Sequence, residues 1–436
     1  MSLNQGFLEK TFKLSANKTD AKTEVIGGLT TFMTMAYILA VNPLILSSAG
    51  MDFNAVFTAT ALSSAVATLL MAFLANYPFA LAPGMGLNAF FAFTVVQRMG
   101  YSWQFALTAV LIEGLLFILL SVVGVREAIF NSIPQNLKKG VSVGIGLFIA
   151  FIGLSNAGII NSDGDVLLQL GDITQGAPLL ALIGVVITGI LLAFKVKGAL
   201  LFGIIATTVI GIPMGVTSAP TGIASLPPSL APTFMKLDFS QVLSWDMAVV
   251  VISFIFVDLF DTLGTLIGVA SKTDMLDEEG QLPRGKQALL ADAIGTTFGA
   301  VTGTSTVTTY VESSSGVAEG ARTGLASVVT AICFFLALFF SPIIAIIPSA
   351  ATAPALILVG LFMLSPILEI DLTDYTESIP VFLTLLMMPA AQSIADGIAF
   401  GMISYVLLKL FSGRYKEISI TMYILTLIFA LKYVFL

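Results

Sequence analysis

The sequence predicts an all-α polytopic membrane protein of about fourteen spanning segments, arranged as two inverted repeats of seven. Three observations carry that expectation. The 436 residues are 57% hydrophobic and only 10% charged, where a soluble domain is about 25% charged; the mean hydropathy is +0.99. Apolar stretches long enough to cross or half-cross a hydrocarbon core of about 30 Å recur along the chain. The third stretch of each half is broken by small and polar residues at a matching place.

In order, the apolar segments run Glu24–Ser47, Ala55–Leu74, Leu81–Val96, Trp103–Val123, Val141–Ile160, Pro178–Phe194 and Ala199–Met214. After the polar loop Thr217–Asp246 come Met247–Ala270, Gln287–Val301, Val307–Gly320, Leu325–Ile344, Ala353–Ile367, Ile379–Ala390 and Ile394–Phe411. A further apolar stretch, Ile418–Leu436, either crosses or lies along the inner surface. The polar start, "MSLNQGFLEKTFKLSANKTDAKTE", lacks the pattern of a signal peptide. With the N-terminus placed in the cytoplasm, sixteen of the 19 basic residues fall on that side, as retained loops require. Arg98 and Lys236 fall outside, and Lys432 lies in the last stretch. If Leu81–Val96 and Val307–Gly320 did not cross, eight of the sixteen would change sides, so the tally favours crossing.

A repeat with an odd number of spans is inverted in the membrane, an architecture common among secondary transporters. The broken third segments read "PFALAPGMGLNAFFAF" and "TSTVTTYVESSSGVAEG". Each starts with residues suited to an extended backbone and then opens a helix. Small and hydroxyl residues also occur wherever membrane helices pack closely. Their matching positions point to a midplane binding site.

One cysteine and no histidine rule out an internal disulfide and leave any proton chemistry to carboxylates. No metal site or organic cofactor is expected. Asp258 and Asp261 lie three apart, on one face of an apolar helix. Membrane carboxylates of this kind mark ligand or proton sites, or bonds to a neighbouring helix. Glu312 falls where the second broken segment turns helical, with Val311 and Ser313 beside it. Ionised carboxylates only accept hydrogen bonds, so such a site suits N–H donors or a cation rather than an anion. Asn88 is the matching polar residue of the first broken segment, and Phe90 follows it as a candidate face for a flat ligand. Asp292 belongs either to a proton path or to an anchor. Glu113 reads as an interhelical bond, Glu319 and Arg322 as a local ion pair, and Asp396 as a solvated end residue. The loop acids Asp163, Asp165, Asp172, Asp277, Glu278 and Glu279 read as solvated charge. Gly140 and Gly144 form a G-x-x-x-G helix-packing pair. "GMGLNA" matches a dinucleotide fingerprint, but without a βαβ unit it carries no such meaning.

"TTYVESSSGV" resembles the binding half-helix of the nucleobase–ascorbate transporters, which share the uracil permease fold. "FVDLFDTLGTL" and "APGMGLNAFF" are similar to the AzgA-type purine permeases of that superfamily. The resemblance runs from about Thr23 to Phe411. It implies short strands in segments 3 and 10, a core domain (24–124 and 247–344) and a gate domain (138–214 and 353–411). The remaining parts are a cytoplasmic tail (1–23), an extracellular linker (215–246) and a C-terminal apolar segment (412–436). It implies import of a purine nucleobase (adenine, guanine or hypoxanthine) with a proton across the plasma or inner membrane, and a homodimer through the gate domains. By position, Asp258 and Glu312 match the family's substrate-binding acids, and Asn88 and Asp261 match polar positions of the purine branch. The uracil branch has a histidine where this chain has Thr262. The proton role therefore falls to a carboxylate: Asp261, Asp258 or Asp292. Rival readings are an anion transporter of the same fold, a passive channel and an intramembrane aspartyl protease. The last needs its acids on separate helices with a G-x-G-D run, which is missing here.

Overall fold

The computed structural model describes residues 3–123, 132–163, 166–220, 222–270, 275 and 282–435. Asp165, Asp277, Glu278 and Glu279 lie outside the described residues, as does the Asp163 side chain. Every apolar segment read from the sequence corresponds to an element. Among the described residues nine helices are long and apolar enough to cross a membrane, and Ala199–Gly211 and Ile420–Leu431 are shorter apolar helices. A hydrocarbon core tolerates only backbone whose polar groups are paired internally, and the two broken segments meet that demand by pairing with each other.

The first segment runs as one span, Ala21–Ser47, with a turn at Ala36–Tyr37 between the helices Ala21–Met35 and Ile38–Ser47. The tail before it forms the helix Leu3–Phe12, whose Phe12 packs with Leu14 on Leu325. The second segment, Phe53–Leu70, runs on as a π-helix to Ala75 and ends at Asn76 in the left-handed region. There Asn76 Oδ1 accepts from Gly324 N at 2.8 Å, starting the helix Gly324–Ala337. Glu24 adds to that start. It is fully buried, and its carboxylate accepts from the amides of Arg322 (2.8 Å), Thr323 (3.3 Å) and Ala326 (3.2 Å). A negative charge at a helix N-terminus meets the partial positive charge of its free amides.

The third segments of the two halves supply the short strands β1 (Leu81–Pro83) and β4 (Val307–Thr309). They pair antiparallel, with Leu81 opposite Thr309, Ala82 opposite Thr308 and Pro83 opposite Val307. Strands β2 (Ile160–Asp163) and β3 (Val166–Leu170) form a separate hairpin. The outer edges of β1 and β4 are sealed in the same way. Thr68 Oγ1 accepts from Leu81 N (3.0 Å) and donates to Leu81 O (3.2 Å). Thr296 Oγ1 accepts from Val307 N (3.1 Å) and donates to Val307 O (3.0 Å). One buried hydroxyl in segment 2 and one in segment 9 thus do the same job in the two inverted halves.

The G-x-x-x-G reading holds: a side chain at Gly140 would meet Val381 at 3.0 Å, and one at Gly144 would meet Met388 at 2.6 Å. Both contacts are to the helix Tyr375–Ala390. The last apolar stretch forms the helix Ile420–Phe435 against Ile394–Phe411. Thr426 Oγ1 reaches Met402 O, and Tyr433 OH donates to Asp396 Oδ1 at 2.9 Å. The two helices therefore run antiparallel along their length.

Candidate functional site

The β1–β4 pair aims two half-helices away from one place. After β1, Gly84 leads into Met85–Ala89, which continues as a π-helix to Arg98. After β4, Glu312 opens the half-helix Ser313–Ala318. The ladder continues past the strands, with Gly84 N donating to Thr306 O (2.9 Å) and Tyr310 N to Ala80 O (3.0 Å). A side chain on Gly84 would meet Thr308 Oγ1 at 2.8 Å and Asp261 Oδ2 at 3.1 Å, so only glycine lets these groups approach.

The polar run before β4 is tied to the first half one residue at a time. Asn42 donates to Thr304 (2.8 Å). Ser305 donates to Asn88 Oδ1. Thr306 donates to Glu113 Oε2 at 2.6 Å, so Glu113 makes a structural bond, but to the extended run ahead of β4 rather than to a neighbouring helix. Thr308 then donates to Asp261 Oδ2 at 3.2 Å. Tyr310 OH donates to Pro83 O, and Ala80 N donates to Ser313 Oγ at 3.0 Å.

Around this junction stand the acids. Glu312 is 8% exposed and accepts at Oε1 from Tyr37 OH at 2.7 Å. Tyr37 sits at the break in the first segment, so that break delivers a phenol to the acid. Asp258 and Asp292 are both fully buried. Thr262 Oγ1 lies 2.7 Å from Asp258 Oδ1 and 3.0 Å from Asp292 Oδ1. A hydroxyl has one hydrogen to donate. It can serve one of these oxygens, and the other contact is favourable when that acid carries a proton of its own. Asp261 is half-buried on the adjacent turn. Asp258, Asp261, Asp292 and Glu312 thus gather around the two half-helices, as do Asn88 and Ser313. Phe90 is buried, edge-on to Phe254 at 4.8 Å between centroids, while Val311 is exposed.

Among the described residues the site is exposed on the side of Gly264, where a side chain at Gly264 or Gly268 would meet no described atom within 4 Å. With Asp261 these residues share a face of the helix Trp245–Ala270, and Val311, Ser314 and Ser315 are also exposed or half-exposed. At the opposite end, Phe90, Phe91, Ala92, Thr94 and Val95 are all buried.

Two further sequence expectations are corrected. Glu319 pairs with Lys197 at 2.7 Å rather than with Arg322. Arg322 turns its guanidinium to the carbonyls of Val317 and Ala321 at the end of the half-helix. Asp396 is 7% exposed rather than solvated and is bound by Arg98 at 2.9 Å. The residues that sequence reasoning missed are Glu24, Tyr37, Thr68, Thr262 as a bridging donor, and Thr296. An acid at the start of an apolar run was a signal for Glu24. The others are ordinary residue types whose roles come from distant partners.

A paired strand and half-helix at matching places of two inverted halves, with buried carboxylates between them, define a polytopic membrane transporter rather than an enzyme. The chain belongs to the permease family (Xan_ur_permease), whose model matches residues 22–430. It is similar to the guanine/hypoxanthine permease PbuG of Bacillus subtilis (strain 168), at 47% identity covering 98% of this chain and 99% of that protein. It is also similar to the adenine permease AdeP of Escherichia coli (strain K12), at 45% identity covering 99% of this chain and 97% of that one. Among solved structures, the transmembrane domain of the cyanobacterial bicarbonate transporter BicA shares the fold, with a TM-score of 0.65 and 18% identity over 88% of this chain and 97% of that one. The kinship with purine permeases expected from "TTYVESSSGV" and "FVDLFDTLGTL" is borne out.

Proposed function

We propose that this chain imports purine nucleobases across the plasma or inner membrane by proton symport. The observation that carries the reading is the cluster of Asp258, Asp261, Asp292 and Glu312 at the junction of the half-helices. Purine bases present N–H donors, and ionised carboxylates accept them. The backbone amides that open the half-helices supply donors for carbonyl or ring-nitrogen acceptors. The names of full-length relatives at 45–47% identity support the same substrate class.

Substrate-binding roles fall to Asp258 and Glu312, with Asn88 and Ser313 holding the half-helix starts in place and Val311 at the open side. Phe90 reaches a flat ligand only if it leaves Phe254. Proton coupling falls to Asp258, Asp292 and Asp261. The Thr262 hydroxyl lets one proton be shared between Asp258 and Asp292, so substrate and proton occupancy bias one equilibrium.

The helices contact one another in two sets, which supports an elevator-like movement. Gly324–Ala337 packs on Ala21–Met35 and Phe53–Leu70, and Gly285–Thr302 packs on Trp103–Val123. In the other set Gln135–Asn156 packs on Ser349–Phe362 and Tyr375–Ala390, and Gly176–Ala193 packs on Ala199–Gly211. The first set is the core domain and the second the gate domain, through which two copies would associate. With the N-terminus inside, as the basic residues favour, the open side at Gly264 and Val311 faces the cytoplasm.

The second reading is anion transport, favoured by the fold shared with the bicarbonate transporter. Four carboxylates around the site stand against it. Uptake of labelled adenine, guanine and hypoxanthine into proteoliposomes, with and without an inward proton gradient, decides the matter. Accumulation that collapses with a protonophore supports symport. Flux without accumulation supports a passive channel. Bicarbonate or sulfate flux without purine flux overturns the proposal.

A further inference from the structure

The half-helix that ends at Arg98 is tied, away from the acid cluster, to a different part of the chain. Arg98 Nη1 donates to Ala391 O at 2.5 Å and to Asp396 Oδ2 at 2.9 Å. One turn earlier, Thr94 Oγ1 donates to Gln392 O at 3.2 Å. Asp396 opens the helix Ile394–Phe411, and its other oxygen, Oδ1, accepts from Tyr433 OH of the C-terminal helix. Three elements therefore meet on one buried carboxylate. The C-terminal helix also reaches the first set of helices directly. Its Phe429 ring lies 5.4 Å from Phe256, two residues before Asp258.

We propose that Arg98, Asp396 and Tyr433 form a latch that keeps the Arg98 side of the site closed, with the C-terminal helix as its strap. Arg98 belongs to the set of helices that carries the site, while Ala391, Gln392 and Asp396 belong to the other set. The site opens on that side only if the two sets separate there, and the Arg98 contacts are then the ones that must break. Asp396 is buried while Arg98 is exposed, so the pair is better shielded from solvent than a surface ion pair. Tyr433 holds the carboxylate from the second side and so fixes where Arg98 finds it. This inference rests on the alternating opening proposed above, though not on the identity of the substrate or of the coupling ion.

The test reads which side is open, without purine or proton gradient. Cys333 is the only cysteine, so Cys333→Ser provides a cysteine-free background. Thr94→Cys places a reporter thiol on the closed side, where the side chain meets Gln392 of the other set, and Gly264→Cys places one on the open side. Each is labelled with a membrane-impermeant maleimide applied to its own side of oriented vesicles. In Asp396→Asn and Arg98→Gln, the closed-side thiol should react about fivefold faster and the open-side thiol correspondingly more slowly, with Tyr433→Phe shifting both in the same sense. The exchanged pair Arg98→Asp with Asp396→Arg should return both rates toward the parent. Unchanged rates in Arg98→Gln and Tyr433→Phe overturn the proposal. So does faster labelling on the closed side with no slowing on the open side, which would show local loosening alone. If Asp396→Asn does not yield monodisperse protein, the two exposed-residue variants carry the same test. A chain that shifts its labelling as predicted and transports no purine would keep the latch and lose the substrate assignment.

Discussion

Replacing Thr68 or Thr296 by valine removes one hydroxyl and keeps the side-chain shape. In each case the hydroxyl is the outer partner of both backbone groups of one strand residue, Leu81 for Thr68 and Val307 for Thr296. All four residues are fully buried, so no water replaces the lost bonds. An orphaned buried donor or acceptor costs about 1–3 kcal/mol. Two of them amount to about 2–6 kcal/mol per variant, reduced by under about 1 kcal/mol for the added methyl group. Unfolding of the purified protein in mixed micelles measures the loss. Thr68→Val and Thr296→Val should each lose stability on that scale, and by similar amounts, because the two geometries match. Thr68→Ser and Thr296→Ser should recover most of it. Purine affinity should fall in the valine variants, since the strands hold both half-helices. Stability within about 0.5 kcal/mol of the parent in both valine variants would refute the reasoning, being below the cost of even one orphaned group.

Tyr37→Phe removes the donor 2.7 Å from Glu312. A hydrogen bond to a charged group is worth about 1.5–3 kcal/mol, so thermal stability should fall by an amount on that scale and purine Kd should rise by equilibrium binding; an unchanged Kd would remove Tyr37 from the positioning of Glu312. Asp261→Asn should abolish accumulation driven by an imposed proton gradient in proteoliposomes and leave purine exchange measurable, whereas intact pH-driven accumulation clears Asp261 of the proton role. Asp374, ahead of the helix Tyr375–Ala390, has its carboxyl held down to about 2 by the Thr376 hydroxyl and amide and by Arg414. A depressed acid adds stability that is present above its unfolded value of about 3.9 and lost as the pH falls toward 2. Melting temperature should therefore drop between about pH 4 and pH 2, with a shallower drop in Asp374→Asn.

The architecture was legible because a bilayer imposes a periodic demand for apolar length. The two broken segments were legible for the same reason: small and polar residues in a hydrocarbon core have few uses. Tyr37 was invisible because no glycine or proline stands at Ala36–Tyr37 to mark the break, and its partner Glu312 lies 275 residues away. Asp396 reads as solvated in the sequence because its two partners lie 298 and 37 residues away. Glu319 reads as a partner of Arg322 because Lys197, its actual partner, lies in the other half of the chain.

By itself, then, the sequence determined the membrane class, the inverted halves and the acids that had to be explained, since burying charge in hydrocarbon is costly wherever the chain goes. Only the tertiary structure decided how those acids are held: that one Thr262 hydroxyl stands between Asp258 and Asp292, that Tyr37 reaches Glu312, and that Thr68 and Thr296 close the strands. Hydrogen bonds act over about 3 Å in space and are indifferent to separation along the chain, so their partners appear only when the two halves are folded onto each other.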